Sequence, residues 1–184
     1  MRAAVLSRPG VPDYTEFDPP TAVPGHTVVR VTAAGLNPFD VARAAGRIPE
    51  LRGPYPAVAG HEGVGTVRGR RIYFGRTRSP YGSMAEFALV PDDALVELDP
   101  VLPDALAVAL GTSGVAAWLA LVSRARLAAG ETVLVLGATG VVGTLTVQLA
   151  RILGAGRVVA DGRDPTAPAR TLDPGGEAKV ELSA

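Results

Sequence analysis

The sequence contains no cysteine, which excludes a disulfide framework and any thiolate-rich zinc site. It has no surplus of charge of either sign, with 18 lysines and arginines against 18 aspartates and glutamates. Without a basic excess to neutralise a phosphate backbone, nucleic-acid binding is not expected. Long apolar runs are missing as well. The longest, residues 115–122, is far short of the roughly 20 residues that cross a membrane. The apolar stretch near the start, Ala3-Ala4-Val5-Leu6, is too short for a signal-peptide core. The expectation is a cytoplasmic protein with no membrane attachment.

What is present reads as a globular chain of 184 residues, 47% apolar and 20% charged, long enough for one large domain or two small ones. The first hundred residues read as short strands. Ala3-Ala4-Val5-Leu6 opens, and Val28-Val29-Arg30-Val31 follows the Pro24-Gly25 turn signal. Val64-Gly65-Thr66-Val67, Ile72-Tyr73-Phe74 and Glu86-Phe87-Ala88-Leu89-Val90 come next, separated by links rich in glycine, proline and arginine. Short strands with irregular links suggest an all-β, barrel-like unit.

The texture changes near Pro103. Residues 105–127 are almost continuous in helix formers, broken by Gly111-Thr112-Ser113-Gly114, and predict a short helix and then a longer one ending at Gly130. Trp118, on an apolar helix, is expected in the core. Thr132-Val133-Leu134-Val135-Leu136 predicts a strand buried on both faces of a parallel sheet. Residues 142–153 predict a helix and Arg157-Val158-Val159-Ala160-Asp161 a second strand. Beyond Asp164 a weak helix containing Pro168 and a last strand at residues 178–182 complete the reading. The domains are therefore placed at 1–103 and 104–184.

Between the apolar strand and its helix lies Gly137-Ala138-Thr139-Gly140-Val141-Val142-Gly143. A glycine triplet in a strand–turn–helix context is the pattern that lets backbone approach a pyrophosphate at the positive pole of a helix. At the tip of the second strand stand Asp161-Gly162-Arg163. An acidic residue there would hold the ribose 2′-hydroxyl of NAD, and an arginine would suit the 2′-phosphate of NADPH. Gly162 as the tip residue with Arg163 beyond it favours NADPH over NADH.

Two further segments, Ala33-Ala34-Gly35-Leu36-Asn37-Pro38-Phe39-Asp40 and Pro56-Ala57-Val58-Ala59-Gly60-His61-Glu62-Gly63-Val64-Gly65, precede the glycine turn. With Ala116-Ala117-Trp118 they resemble the signature stretches of the medium-chain dehydrogenase/reductase superfamily, in the same order and over residues 1 to about 163. The resemblance implies a fold of α/β class with an all-β part: a GroES-like β-barrel domain followed by a Rossmann domain, a doubly wound parallel sheet. Zinc members of that superfamily have a cysteine where this chain has Asn37 and another at Thr112, so no metal is expected. The Asn-Pro-x-Asp variant is similar to zinc-free quinone oxidoreductases related to zeta-crystallin, or enoyl reductases, which act on quinones, enones and other activated alkenes. By that resemblance Asn37 and Asp40 line the cleft near the nicotinamide, Asn37 able to hydrogen-bond a carbonyl. The residues themselves allow Asp40 to be an ordinary helix-start carboxylate. His61 and Glu62 read as structural relics in a turn, and Tyr55 and Tyr81 as cleft-facing or packed.

The resemblance also implies a longer chain, roughly twice this length by the two-domain prior. An incomplete Rossmann domain and a C-terminally truncated or split member are therefore expected. The alternative to an active reductase is a non-catalytic nucleotide-binding or inert fragment that self-associates or needs a complementing chain.

Overall fold

β-Branched residues dominate His26–Ala34 and form strand β3, nine residues long. The computed structural model describes residues 1–49 and 53–162. The other strands expected in the first hundred residues are met by β1 (Arg2–Leu6), β5 (Gly63–Val67), β6 (Arg70–Phe74) and β7 (Phe87–Pro91). Three more strands carry too little apolar pattern to be read from sequence: β2 (Asp13–Glu16), exposed throughout, β4 (Ala57–Val58) and β8 (Leu95–Glu97).

These strands make two sheets, one in the order β7-β3-β5-β6-β8 and one in the order β2-β1-β4. All pairings in them are antiparallel, and a bridge between Ala3 and Ala85 links their regions. The core of the larger sheet is Val29, Ile72, Phe74, Ala88 and Val90. Phe74 is completely buried, which contributes about 1.5–3 kcal/mol. Gly65 sits where any Cβ would collide with the Arg30 carbonyl of β3. β3 also shifts register between Val31 and Ala33 against β5, the mark of a bulge that bends a strand. Helix α1 (Pro38–Ala44) follows directly, with proline in its first turn.

The chain divides into two compact units after Gly111 rather than at Pro103, because helix α2 (Asp104–Leu110) packs on β3 and β5 of the first unit.

The second unit begins with α3 (Thr112–Leu119), which runs on through a π-helical turn, Ala120–Ala125, to Arg126 in the left-handed conformation. The helix thus stops before Gly130. Helix α4 (Val141–Ile152) packs on α3 and on the parallel pair β9 (Thr132–Leu136) and β10 (Arg157–Asp161). Val135, Val147 and Ala160 form the core between α4 and the strands.

Two expectations fail here. Trp118 is 45% exposed, because the side of α3 that is buried carries the small residues Gly114 and Ala117. Among the described residues β9 is covered on one face only: Val135 is buried, while Leu134 and Leu136 are 60% and 70% exposed. Residues 163–184, with the expected late helix and strand, lie outside the described residues.

Candidate functional site

The first turn of α1 is held from outside by two adjacent side chains. Asn37 caps the helix in an extended conformation (φ −113°, ψ 161°). Its backbone N–H donates to Asp40 Oδ2 at 2.8 Å, which satisfies a group that a helix start otherwise leaves unpaired. The other oxygen of Asp40 lies 2.7 Å from His61 Nδ1. A carboxylate can only accept, so the ring proton on that side belongs on Nδ1. Asp40 is buried. Burial pushes its carboxyl up, but the hydrogen bonds from His61 and the Asn37 backbone, together with the His61 charge, hold it below the usual carboxylate range.

The side chain of Asn37 goes the other way. Its Nδ2 donates to Glu62 Oε1 at 2.5 Å, and the Tyr73 hydroxyl donates to Glu62 Oε2 at 2.7 Å. Glu62 is 1% exposed, and a carboxylate taken out of water must be hydrogen-bonded. The space around it depends on two glycines. A Cβ on Gly35 would lie 2.7 Å from Glu62 Cγ and Oε1, and one on Gly111 would lie 2.6 Å from Oε2 and from the Tyr73 hydroxyl.

The structure therefore brings Asn37 and Asp40 together with His61 and Glu62, whose sequence context suggests mere relics. Asp40 is a helix-start carboxylate, as its position allows, and its second oxygen reaches His61. Tyr73 is a member that sequence reasoning misses. Its neighbours Ile72 and Phe74 belong to the core, so strand alternation sends Tyr73 to the opposite face, but only the β5–β6 register brings it to Glu62. Around the half-buried Asn37 the surface is apolar, with Leu36 71%, Phe39 36% and Val41 52% exposed. The Phe39 ring meets His61 edge-on at 4.7 Å. Tyr55 lines a small pocket with Asp40, Arg43 and Ser79, whereas Tyr81 packs edge-on against Phe17 at 6.0 Å. Among the described residues no group of three or more His, Cys, Asp or Glu side chains is placed to hold a metal ion.

In the second unit the glycine turn joins β9 to α4. Gly137 has φ +71°, and its carbonyl accepts from the Gly140 N–H at 3.0 Å. A Cβ on Gly143 would collide with that same carbonyl and lie 2.7 Å from Ala138 Cα. The Ala138 N–H donates to the Asp161 carbonyl at 2.8 Å, and the Thr144 hydroxyl donates to the Ala138 carbonyl at 3.0 Å. Thr139 packs where a Cβ on Gly162 would fall, 2.7 Å from its Cγ2. Val141, Val142 and Gly143 open the helix, so their N–H groups have no acceptor within it. Gly140, by contrast, has φ −79°, and a Cβ there would meet its nearest neighbour, the Gly137 carbonyl, at 3.4 Å. Its backbone does not require glycine. Arg163 lies outside the described residues.

Residues 23–71 match the alcohol dehydrogenase GroES-like domain. The chain is 38% identical to a mouse quinone oxidoreductase over 170 residues, 84% of this chain and 50% of that protein. It is 33% identical to a zinc-type alcohol dehydrogenase-like protein of Schizosaccharomyces pombe, over 71% of this chain and 42% of the relative. Among solved structures it is similar to the quinone oxidoreductase of Thermus thermophilus, known also in complex with NADPH. The TM-score is 0.79 at 39% identity, covering 90% of this chain and 54% of that one. The chain thus spans about half the length of each of these three relatives. With a GroES-like unit followed by a βαβ of Rossmann type, the chain is similar to proteins of the medium-chain dehydrogenase/reductase superfamily, the quinone oxidoreductases among them.

Proposed function

We propose that the chain serves an NADPH-dependent reduction of a quinone, enone or enoyl substrate, without zinc. The observation that carries this reading is the turn at residues 137–143, where the close approach of Gly143 to the Gly137 carbonyl sets free N–H groups at the start of α4. That donor set, at the positive pole of a twelve-residue helix, fits a pyrophosphate. The residues that would hold the cofactor are Gly137, Ala138, Thr139, Gly140, Val141, Val142 and Gly143, with Gly162 at the tip of β10. Arg163 would take the 2′-phosphate and favour NADPH over NADH.

When bound, NADPH would supply a hydride for the electrophilic carbon conjugated to the substrate carbonyl, and a proton from solvent would complete the reduction. The work left to the protein is to hold and orient that carbonyl. An amide nitrogen carries two hydrogens. Asn37 gives one to Glu62 and has the other for the substrate oxygen, where negative charge develops. Leu36 and Phe39 offer apolar surface beside it, which suits a flat, weakly polar substrate. Asp40 secures the backbone of Asn37.

NADPH titration of the purified chain, with an enone turnover assay beside it, tests the reading. Gly140→Asp puts a carboxylate at the pyrophosphate without straining the backbone, and should abolish binding while leaving the fold intact. Unchanged affinity would sink the assignment of the turn. A second reading is nucleotide binding without turnover unless another chain, a second copy or a complementing one, completes the sheet. It is favoured by β9 having β10 as its one strand neighbour among the described residues.

A further inference from the structure

Glu62 is buried, yet it is not built into the hydrophobic core. Its two oxygens meet donors from different parts of the first unit. Oε1 takes the Asn37 amide at the start of α1, and Oε2 takes the Tyr73 hydroxyl on β6. Two glycines keep the space open, one on each side of the carboxylate. An apolar side chain of similar volume would fill such a place at lower desolvation cost. The arrangement makes sense if the orientation of the Asn37 amide is what matters. Asparagine has a donor end and an acceptor end that are sterically alike, and a carboxylate admits only the donor end.

We propose that Glu62 and Tyr73 are positioning residues that act through Asn37. Tyr73 pins one oxygen of the Glu62 carboxylate, and the other oxygen fixes which end of the Asn37 amide turns inward. The remaining N–H of Asn37 is thereby presented in one orientation to a carbonyl oxygen. This rests on the reading of Asn37 as the group that meets the substrate. Neither Glu62 nor Tyr73 needs to touch substrate, and with Glu62 1% exposed it has no surface with which to do so.

Tyr73→Phe is the decisive variant, since it removes one hydroxyl, keeps the ring and leaves Asn37 itself unchanged. In the full chain, labelled with nitrogen-15, it should shift the two Asn37 Nδ2 proton signals while most backbone signals stay in place. In an enone assay it should lower kcat about tenfold, the effect of one lost hydrogen bond to a charged group. NADPH affinity should be unchanged. In an Asn37→Ala background the same substitution should have no further effect on kcat, because the residue it acts through is gone. Asn37 amide signals that ignore Tyr73→Phe would overturn the inference, as would an equal loss of kcat in both backgrounds. If the wild-type chain turns over no enone, the catalytic reading of Asn37 falls, and with it the functional part of this proposal. The amide signals still decide whether Glu62 and Tyr73 orient Asn37.

Discussion

Asn37 is tied to two carboxylates at once, by its backbone N–H to Asp40 at 2.8 Å and by its side-chain amide to Glu62 at 2.5 Å. A neutral donor between two acidic groups is a position that aspartate, its nearest relative in shape, cannot fill.

Asn37→Asp would set a second carboxylate against Glu62 in a buried place. Unfolding free energy of the first unit should fall by about 3 kcal/mol. Adding Glu62→Gln should recover most of it, because glutamine can donate to Asp at position 37 while accepting from Tyr73. Tyrosine fluorescence reports this unit selectively, since Tyr14, Tyr55, Tyr73 and Tyr81 all lie within it and the single tryptophan does not. A double variant no more stable than Asn37→Asp would show that the pair is not what holds the turn.

Asp40 makes the first unit sensitive to acid. Its carboxyl lies below its ordinary value in the fold, so its contribution is complete above the unfolded value of about 3.9 and is lost as pH falls through the lower folded one. Denaturation midpoints taken between pH 6 and pH 2 should decline in the wild type. Asp40→Asn should be less stable at pH 7 and decline less steeply. Asp93 and Asp104 are lowered as well, so the difference between the two curves, not either alone, belongs to Asp40. Parallel curves would remove it from that role.

Gly143 and Gly140 should separate folding from binding. Gly143→Ala forces a Cβ onto the Gly137 carbonyl and should destabilise the second unit, read from Trp118 fluorescence, by about 1–3 kcal/mol. Gly140→Ala has room and should leave Trp118 unchanged. Equal stability of the two variants would contradict the turn geometry.

Leu134 and Leu136 place two large apolar side chains on the face of β9 that is uncovered among the described residues. Soluble proteins usually cover or charge such a surface. The chain should therefore self-associate at micromolar concentration, and Leu134→Lys with Leu136→Glu should shift it toward monomer in sedimentation velocity. A wild type that is monomeric at all concentrations would show that this face attracts no second copy.

Much of this is legible in the residues alone, for physical reasons. β3, β5 and β6 announce themselves through β-branched and aromatic runs, and β9 with the glycine turn through an apolar strand that ends in Gly137. β2 is not legible, because all four of its side chains are exposed and leave no pattern. Trp118 misleads because an apolar helix does not say which side faces its neighbour. Asn37 and Asp40 stand out as motif residues, but the partners that hold them do not. His61 reaches back 21 positions and Glu62 25, and such pairings come from the fold rather than from local spacing.

The two tethers also set rules for chain length. His61 and Glu62 are consecutive, and they hold Asp40 and Asn37, three apart at the start of one helix. Inserting one residue between 61 and 62, or between 37 and 40, would throw one tether out of reach while the other held. The connection between positions 40 and 61 is under no such constraint from these bonds. Length variation among descendants of this chain should therefore collect in that connection and be absent from both short motifs.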